Sequence, residues 1–176
     1  VRSPHEVTSK CSRMEMRVEG VFIIGQHAMA GTKNGLLAHT QSLRVKQLTL
    51  NGKPVGELGQ IAAIAGHFGI PVVMLSGDEA ACAEFRELQP KGETVAVKRL
   101  AGTASAWSLS AAEANRRIRE AAGRAVKRIG EFKPWKIEGP VELRFEYHPE
   151  KKEGVEKEVP ARLLSLIHIS EPTRPY

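Results

Sequence analysis

The chain has 176 residues, enough for one ordinary domain, and its apolar fraction of 41% supports a hydrophobic core. No apolar run approaches the ~20 residues of a transmembrane helix, and the polar N-terminal stretch has no apolar signal core, so we expect a cytoplasmic protein. The formal net charge is +6 and the two cysteines, Cys11 and Cys82, are far apart, which predicts two free thiols in a reducing compartment.

The first half of the chain alternates between predicted strands and a predicted helix. Val21–Gly25 is apolar and predicts a buried strand. Leu43–Leu50 alternates apolar and polar residues, and the Asn51-Gly52 pair after it is a strong hairpin-turn signal. Small and apolar residues recur at helical spacing over Glu57–Phe68, and the thin polar side predicts a buried helix.

The second half continues the alternation. Val72–Leu75 is apolar throughout, as in a parallel strand that is buried on both faces. Asp78 is a suitable N-cap for a helix over Glu79–Leu88. Two further strands and one long helix complete the pattern: Thr94–Val97, Val141–Tyr147 and Ser110–Ile129. This order predicts an α/β fold with a mostly parallel sheet flanked by helices.

The ends of the chain do not share this pattern. We assign residues 20–148 to the α/β domain, 1–19 to an N-terminal segment without clear periodicity, and 149–164 to a tail. Residues 165–176, SLIHISEPTRPY, resemble a translated sequencing adapter. We therefore expect this last segment to be an artefact without functional meaning.

The predicted long helix concentrates positive charge. Residues 110–133 carry seven arginines and lysines against three glutamates, a local balance of +4: Arg116, Arg117, Arg119, Arg124, Lys127, Arg128 and Lys133 against Glu113, Glu120 and Glu131. One interpretation is a basic module that binds nucleic acid or an acidic partner. The other is a solvated helix face, which the lack of interleaved aromatic residues favours.

Three residues with metal-site chemistry lie at the ends of predicted elements. His27 follows the first strand, His39 follows a loop rich in glycine, threonine and asparagine, and Glu57 begins a helix. Strand ends and helix starts meet at one edge of a parallel sheet, so we expect the three side chains to converge. Imidazole and carboxylate are zinc ligands. Alternatively, the histidines are ordinary hydrogen-bonded residues and Glu57 interacts with the helix dipole.

A family resemblance favours the metal interpretation. The segments GQHAMAGTKNGLLAHT and GELGQIAAIAGHFGIPVVMLSGDEAAC resemble the D-aminopeptidase family of dinuclear zinc peptidases (DppA-type). The resemblance implies that His27 and Glu57 are zinc ligands and that His39 is the catalytic histidine. It further implies two Zn²⁺ per subunit, short peptide substrates with an N-terminal D-amino acid, and a homo-oligomer for the intact protein.

The sequence also departs from the family pattern. The family's S-x-D-x-E-G strand end and D-x-H turn, which supply further ligands, are not found, and Ile61 stands where the family has asparagine. We therefore expect a fold that lacks the first strands of the parent enzyme, an incomplete metal site and an inactive fragment.

Overall fold

The computed structural model describes residues 17–103 and 105–149 in full, and the backbone of a further strand at 163–169. A short 3-10 turn, Ile129–Glu131, follows the last α-helix of the described residues. In chain order, the strands and α-helices of these residues are β1 (Val21–Gln26), β2 (Val45–Leu50), β3 (Lys53–Pro54), α1 (Glu57–His67), β4 (Val72–Asp78), α2 (Glu79–Leu88), β5 (Glu93–Leu100), β6 (Ala106–Ser108), α3 (Ala111–Lys127), β7 (Val141–Tyr147) and β8 (Leu163–Ile169).

The first sheet confirms the predicted α/β fold. Its strand order is β1-β4-β5-β6, with β1, β4 and β5 parallel and the short β6 antiparallel to β5. The central strand β4 is buried along its whole length, as its apolar sequence predicts. Helices α1 and α2 pack with Val72 and Leu75 in one core cluster, and α3 packs with Val73 and Val95 in another. Helices thus cover both faces of the sheet.

A second, fully antiparallel sheet accompanies the first. Its order is β3-β2-β7-β8, and β2 and β3 are joined by the predicted hairpin, where Asn51 (φ 48°) and Gly52 (φ 75°) both adopt left-handed backbone. Trp135 packs against both the core of this sheet and the core under α1. Strand β8 includes residues 165–169, which belong to the segment that resembles a translated sequencing adapter. That this segment is an artefact stays a prediction.

Two burial predictions are wrong. Only Ile23 of β1 is buried, whereas Ile24 is 60% exposed, because β1 lies at an edge of its sheet in the described part of the chain and pairs with β4 alone. Helix α1 buries one face only. Its opposite face exposes an apolar stripe at helical spacing: Ile61, Ile64 and Phe68.

Two simpler expectations concern membranes and thiols. Among the described residues, no helix has both the length and the apolar character that a membrane crossing requires. Cys82 is a free, buried thiol, and burial raises its pKa to about 11. Cys11 lies outside the described residues.

Candidate metal centre

The structure brings His27, His39 and Glu57 together. One ligand atom from each lies within 4.8 Å of the others. The two imidazole rings stack with their centroids 3.8 Å apart, and His27 Nε2 lies 3.9 Å from Glu57 Oε1. The distance of 3.9 Å between His27 Nε2 and Glu57 Oε1 exceeds the ~3.4 Å between ligands in a tetrahedral site with bonds of ~2.0–2.1 Å, so small side-chain rotations would be needed for both to bind one ion.

Backbone carbonyls hold both histidines in the tautomer that suits metal binding. His27 Nδ1 lies 3.0 Å from the oxygen of Ala28, and His39 Nδ1 lies 2.7 Å from the oxygen of Leu37. A carbonyl oxygen only accepts hydrogen bonds, so each Nδ1 carries the proton and donates it. In the neutral form of such a ring the lone pair lies on Nε2. Metal-bound histidines are oriented by this kind of second hydrogen bond.

Glu57 offers a carboxylate with unused acceptor capacity. It opens α1 beside His27 and its side chain is about a quarter exposed, at 25%. Oxygen Oε1 accepts a hydrogen bond from the backbone N–H of Gln41, whereas Oε2 is buried without a hydrogen-bond partner among the described residues. A buried carboxylate oxygen without a partner costs free energy, which a bound cation would offset. The donor set of two imidazoles and a carboxylate thus fits a divalent metal such as zinc.

Close contact between β1 and β4 positions His27. Gly77 near the end of β4 pairs with Gln26, the residue before His27. A Cβ atom at Gly77 would lie 2.0 Å from the oxygen of Gln26, so only glycine allows this approach. The contact with β4 therefore fixes the backbone position of Gln26, and with it the start of the loop at His27.

Two acidic residues of the α2 region fasten the loop that carries both histidines. Asp78 accepts hydrogen bonds from Leu36 N–H and Ala81 N–H, at 2.6 Å each, so the predicted N-cap of α2 also holds the loop. Glu84 accepts a hydrogen bond of 2.9 Å from Met29 N–H. Sequence reasoning identified the capping role of Asp78 but missed both loop contacts, since no local pattern marks them.

The burial of Glu84 gives a prediction about stability and pH. Burial raises the pKa of Glu84 above its ordinary 4.5; the Met29 N–H opposes this shift and the charge of Glu57 adds to it. Above pH 4.5 the unfolded chain loses this proton more readily than the folded chain, so stability falls until the folded pKa is passed. Glu84→Gln keeps an oxygen for Met29 and removes the titration. In metal-free protein we expect it to melt at a higher temperature than wild type at pH 7.

Thermal melts across pH check this prediction. The advantage of Glu84→Gln should shrink as the pH falls through 4.5, because below that pH both states of the wild type are protonated at Glu84. Glu138→Gln, at an exposed position that is not among the groups acting on the pKa of Glu84, is the control and should show no such trend. A constant difference between Glu84→Gln and wild type at every pH would contradict the prediction.

The remaining candidates stay outside this cluster. Of the seven cations of the basic segment, four form ion pairs with glutamates, as expected of a solvated helix face: Arg116, Arg117, Arg124 and Arg128. His67 at the end of α1 packs edge-on against Phe68, with ring centroids 5.1 Å apart. Neither feature contributes to the site of His27 and Glu57.

Comparison with known proteins decides the family. The family model described as D-aminopeptidase matches residues 1–161. The chain belongs to the D-aminopeptidase family. The match extends beyond residues 20–148, the part that the sequence motifs cover.

Two matches show how far the similarity extends. A D-aminopeptidase of Bacillus subtilis (strain 168) is 36% identical over 115 residues, which are 65% of this chain and 42% of that protein. The solved structure of the Zn-dependent D-aminopeptidase DppA from Bacillus subtilis, described as a self-compartmentalizing protease, matches with a TM-score of 0.71 and 31% identity. That match covers 77% of this chain and 54% of the solved one. The chain thus spans about half the length of these relatives, or less.

Proposed function

We propose that this chain carries part of the active site of a zinc-dependent aminopeptidase that removes D-amino acids from the N-terminus of short peptides. The observation that carries the proposal is the arrangement of the two histidines beside Glu57. In His27 and His39, Nδ1 is hydrogen-bonded to a backbone carbonyl, which leaves Nε2 available. Oε2 of Glu57 has no hydrogen-bond partner among the described residues. Family membership supports the same chemistry.

Each of the three residues has a proposed role. His27 and Glu57 hold zinc through Nε2 and the carboxylate, and His39 moves protons. Zinc, when bound, would lower the pKa of a bound water and polarise the carbonyl of the substrate's peptide bond. His39 Nε2 accepts the proton that the attacking water loses and passes it to the leaving amine as the peptide bond breaks. Stacking on His27 and the bond to Leu37 hold the His39 ring in place for both transfers.

A neighbouring cleft suits the substrate's charged end. A cleft of about 350 Å³ lies between the histidine loop and α2, and its walls include Glu79, Glu84, Glu87 and one cation, Lys33. An aminopeptidase substrate presents an α-ammonium group, which a wall rich in carboxylates attracts. We propose that the peptide's N-terminus enters from this side. The preference for D-residues rests on the family relationship alone.

The number of side chains that can bind zinc limits the zinc affinity and the activity of this chain by itself. Catalytic zinc sites hold about three protein ligands. His27 and Glu57 provide two, because the proposed role of His39 is proton transfer and its Nε2 is then not a ligand. We therefore propose that the 176 residues bind zinc weakly and have at most residual peptidase activity, in line with the inactive fragment that the sequence predicts. We further propose that two Zn²⁺ per subunit require ligands from outside these residues. We propose that the intact protein forms a homo-oligomer, and the description of its relative as a self-compartmentalizing protease supports this.

The role of His39 is tested by separating binding from hydrolysis. We expect His39→Gln to leave zinc affinity unchanged in calorimetry, while hydrolysis of a D-alanyl peptide at saturating zinc falls by roughly 10²- to 10⁴-fold. His67→Gln, at an exposed histidine outside the cluster, is the matched control and should change neither quantity. Loss of zinc affinity in His39→Gln would instead make His39 a third ligand, and unchanged hydrolysis would remove it from the site.

A further inference from the structure

Gln41 connects the histidine loop to the first turns of α1. Its backbone N–H donates to Glu57 Oε1 at 2.5 Å, and its side-chain Nε2 donates to Gln60 Oε1 at 2.5 Å. Glu57 and Gln60 are three residues apart and lie on the same side of the helix. The residue two positions after His39 thus contacts the metal-site carboxylate and its helical neighbour at once.

The conformation of Gln41 indicates that these bonds are needed to hold it. Its φ is +58°, a left-handed conformation that residues other than glycine rarely adopt. Helix α1 also lacks a side-chain N-cap, because Gly56 occupies that position. The two hydrogen bonds from Gln41 therefore offset local backbone strain and link the loop to the first turn of α1.

The same pair of helix residues holds two unsatisfied polar atoms. Glu57 Oε2 and Gln60 Nε2 are the buried side-chain atoms that lack a hydrogen-bond partner within the described ranges. One is an acceptor and the other a donor, and both residues are held by Gln41. Buried polar atoms without partners mark places where an ion, a water or a ligand completes the structure.

From this geometry we propose that Gln41 and Gln60 form a clamp that orients the Glu57 carboxylate toward the metal ion. Both are positioning residues, and the inference rests on the proposed zinc site. The bond to Gln60 fixes the Gln41 side chain, the backbone of Gln41 fixes Oε1, and the carboxylate keeps its remaining lone pairs for the cation. Ligating carboxylates are commonly oriented by such outer hydrogen bonds.

Zinc calorimetry on the full chain tests the clamp. Gln60→Met keeps the side-chain length and helix propensity but removes the acceptor, and we expect zinc affinity to fall by roughly 10- to 100-fold. Gln41→Met should cause a similar loss. Both single variants break the same hydrogen bond, between Gln41 Nε2 and Gln60 Oε1. The double variant should therefore lose no more zinc affinity than either single variant. Gln47→Met, an exposed glutamine on β2 of the other sheet, is the control and should bind zinc as wild type does.

A second readout works without metal. In the metal-free protein we expect the Gln41 amide to exchange with solvent faster in Gln60→Met than in wild type, because the tether of its side chain is lost. Unchanged zinc affinity in Gln60→Met, or losses that add in the double variant, would overturn the clamp. The two proposals can also fail separately. If the wild-type chain binds no zinc, the zinc site is overturned. Faster exchange of the Gln41 backbone amide in Gln60→Met would then still support the contact between the clamp and Glu57.

Discussion

Replacing Glu57 with glutamine should weaken zinc binding by more than about 100-fold, because the loss of a ligand exceeds the 10- to 100-fold effect of losing an outer hydrogen bond. The amide keeps the side-chain shape and can still accept the N–H of Gln41, so the loop contact survives. What disappears is the negative charge beside the two Nε2 atoms. Calorimetry with zinc measures the effect, and peptide hydrolysis at zinc concentrations below saturation should fall with it.

Glu79→Gln is the matched control for this substitution. Glu79 also lies in the first turn of a helix, α2, so the two variants lose the same charge and the same interaction with a helix dipole. We expect Glu79→Gln to bind zinc nearly as wild type does. Equal losses in both variants would mean that Glu57 acts through general electrostatics or helix stability, and the ligand assignment would be wrong.

Gly77→Ala should give the largest loss of stability among the substitutions considered. The new Cβ would lie 2.0 Å from the backbone oxygen of Gln26, and a backbone atom in a paired strand cannot move aside cheaply. We expect the free energy of unfolding to drop by about 3 kcal/mol or more. That corresponds to a melting temperature lower by roughly 10 °C. Displacement of Gln26 should also move His27 and weaken zinc binding.

Gly123→Ala separates this clash from a general effect of adding a methyl group. Gly123 lies within α3, and a Cβ atom there would have no neighbour within 4 Å. Alanine in a helix interior is favoured over glycine by roughly 0.5–1 kcal/mol, so this variant should be slightly more stable than wild type. Thermal and denaturant unfolding of both variants measure the contrast. A Gly77→Ala protein with wild-type stability and zinc affinity would show that β1 and β4 are not in close contact there.

Local patterns in the sequence predicted much of the fold. The helix Glu79–Leu88 with its cap Asp78 and the strand Val141–Tyr147 have the predicted bounds, because capping chemistry and period-two alternation act over a few residues. The convergence of His27, His39 and Glu57 was predicted from the position of strand ends and helix starts, and the structure confirms that convergence. Their roles in zinc binding and catalysis stay predictions.

Features that depend on distant partners were not predicted. The antiparallel second sheet joins β2 to β7, almost a hundred residues apart, and alternation alone does not say which strands pair. The exposure of Ile24 and of Ile64 depends on what covers each element, which composition does not reveal. The hydrogen bonds of Glu84 and Gln60 likewise arise only when the loop, α1 and α2 come together.

The most direct test of the zinc site is an anomalous difference map at the zinc edge from crystals of this chain grown with zinc. We expect a peak at bonding distance, ~2.0–2.2 Å, from His27 Nε2 and the Glu57 carboxylate. Glu57→Gln crystals under the same conditions should lose that peak. A zinc peak bound elsewhere in the wild type, with His27 and Glu57 free of metal, would contradict the assignment of this cluster as the metal centre.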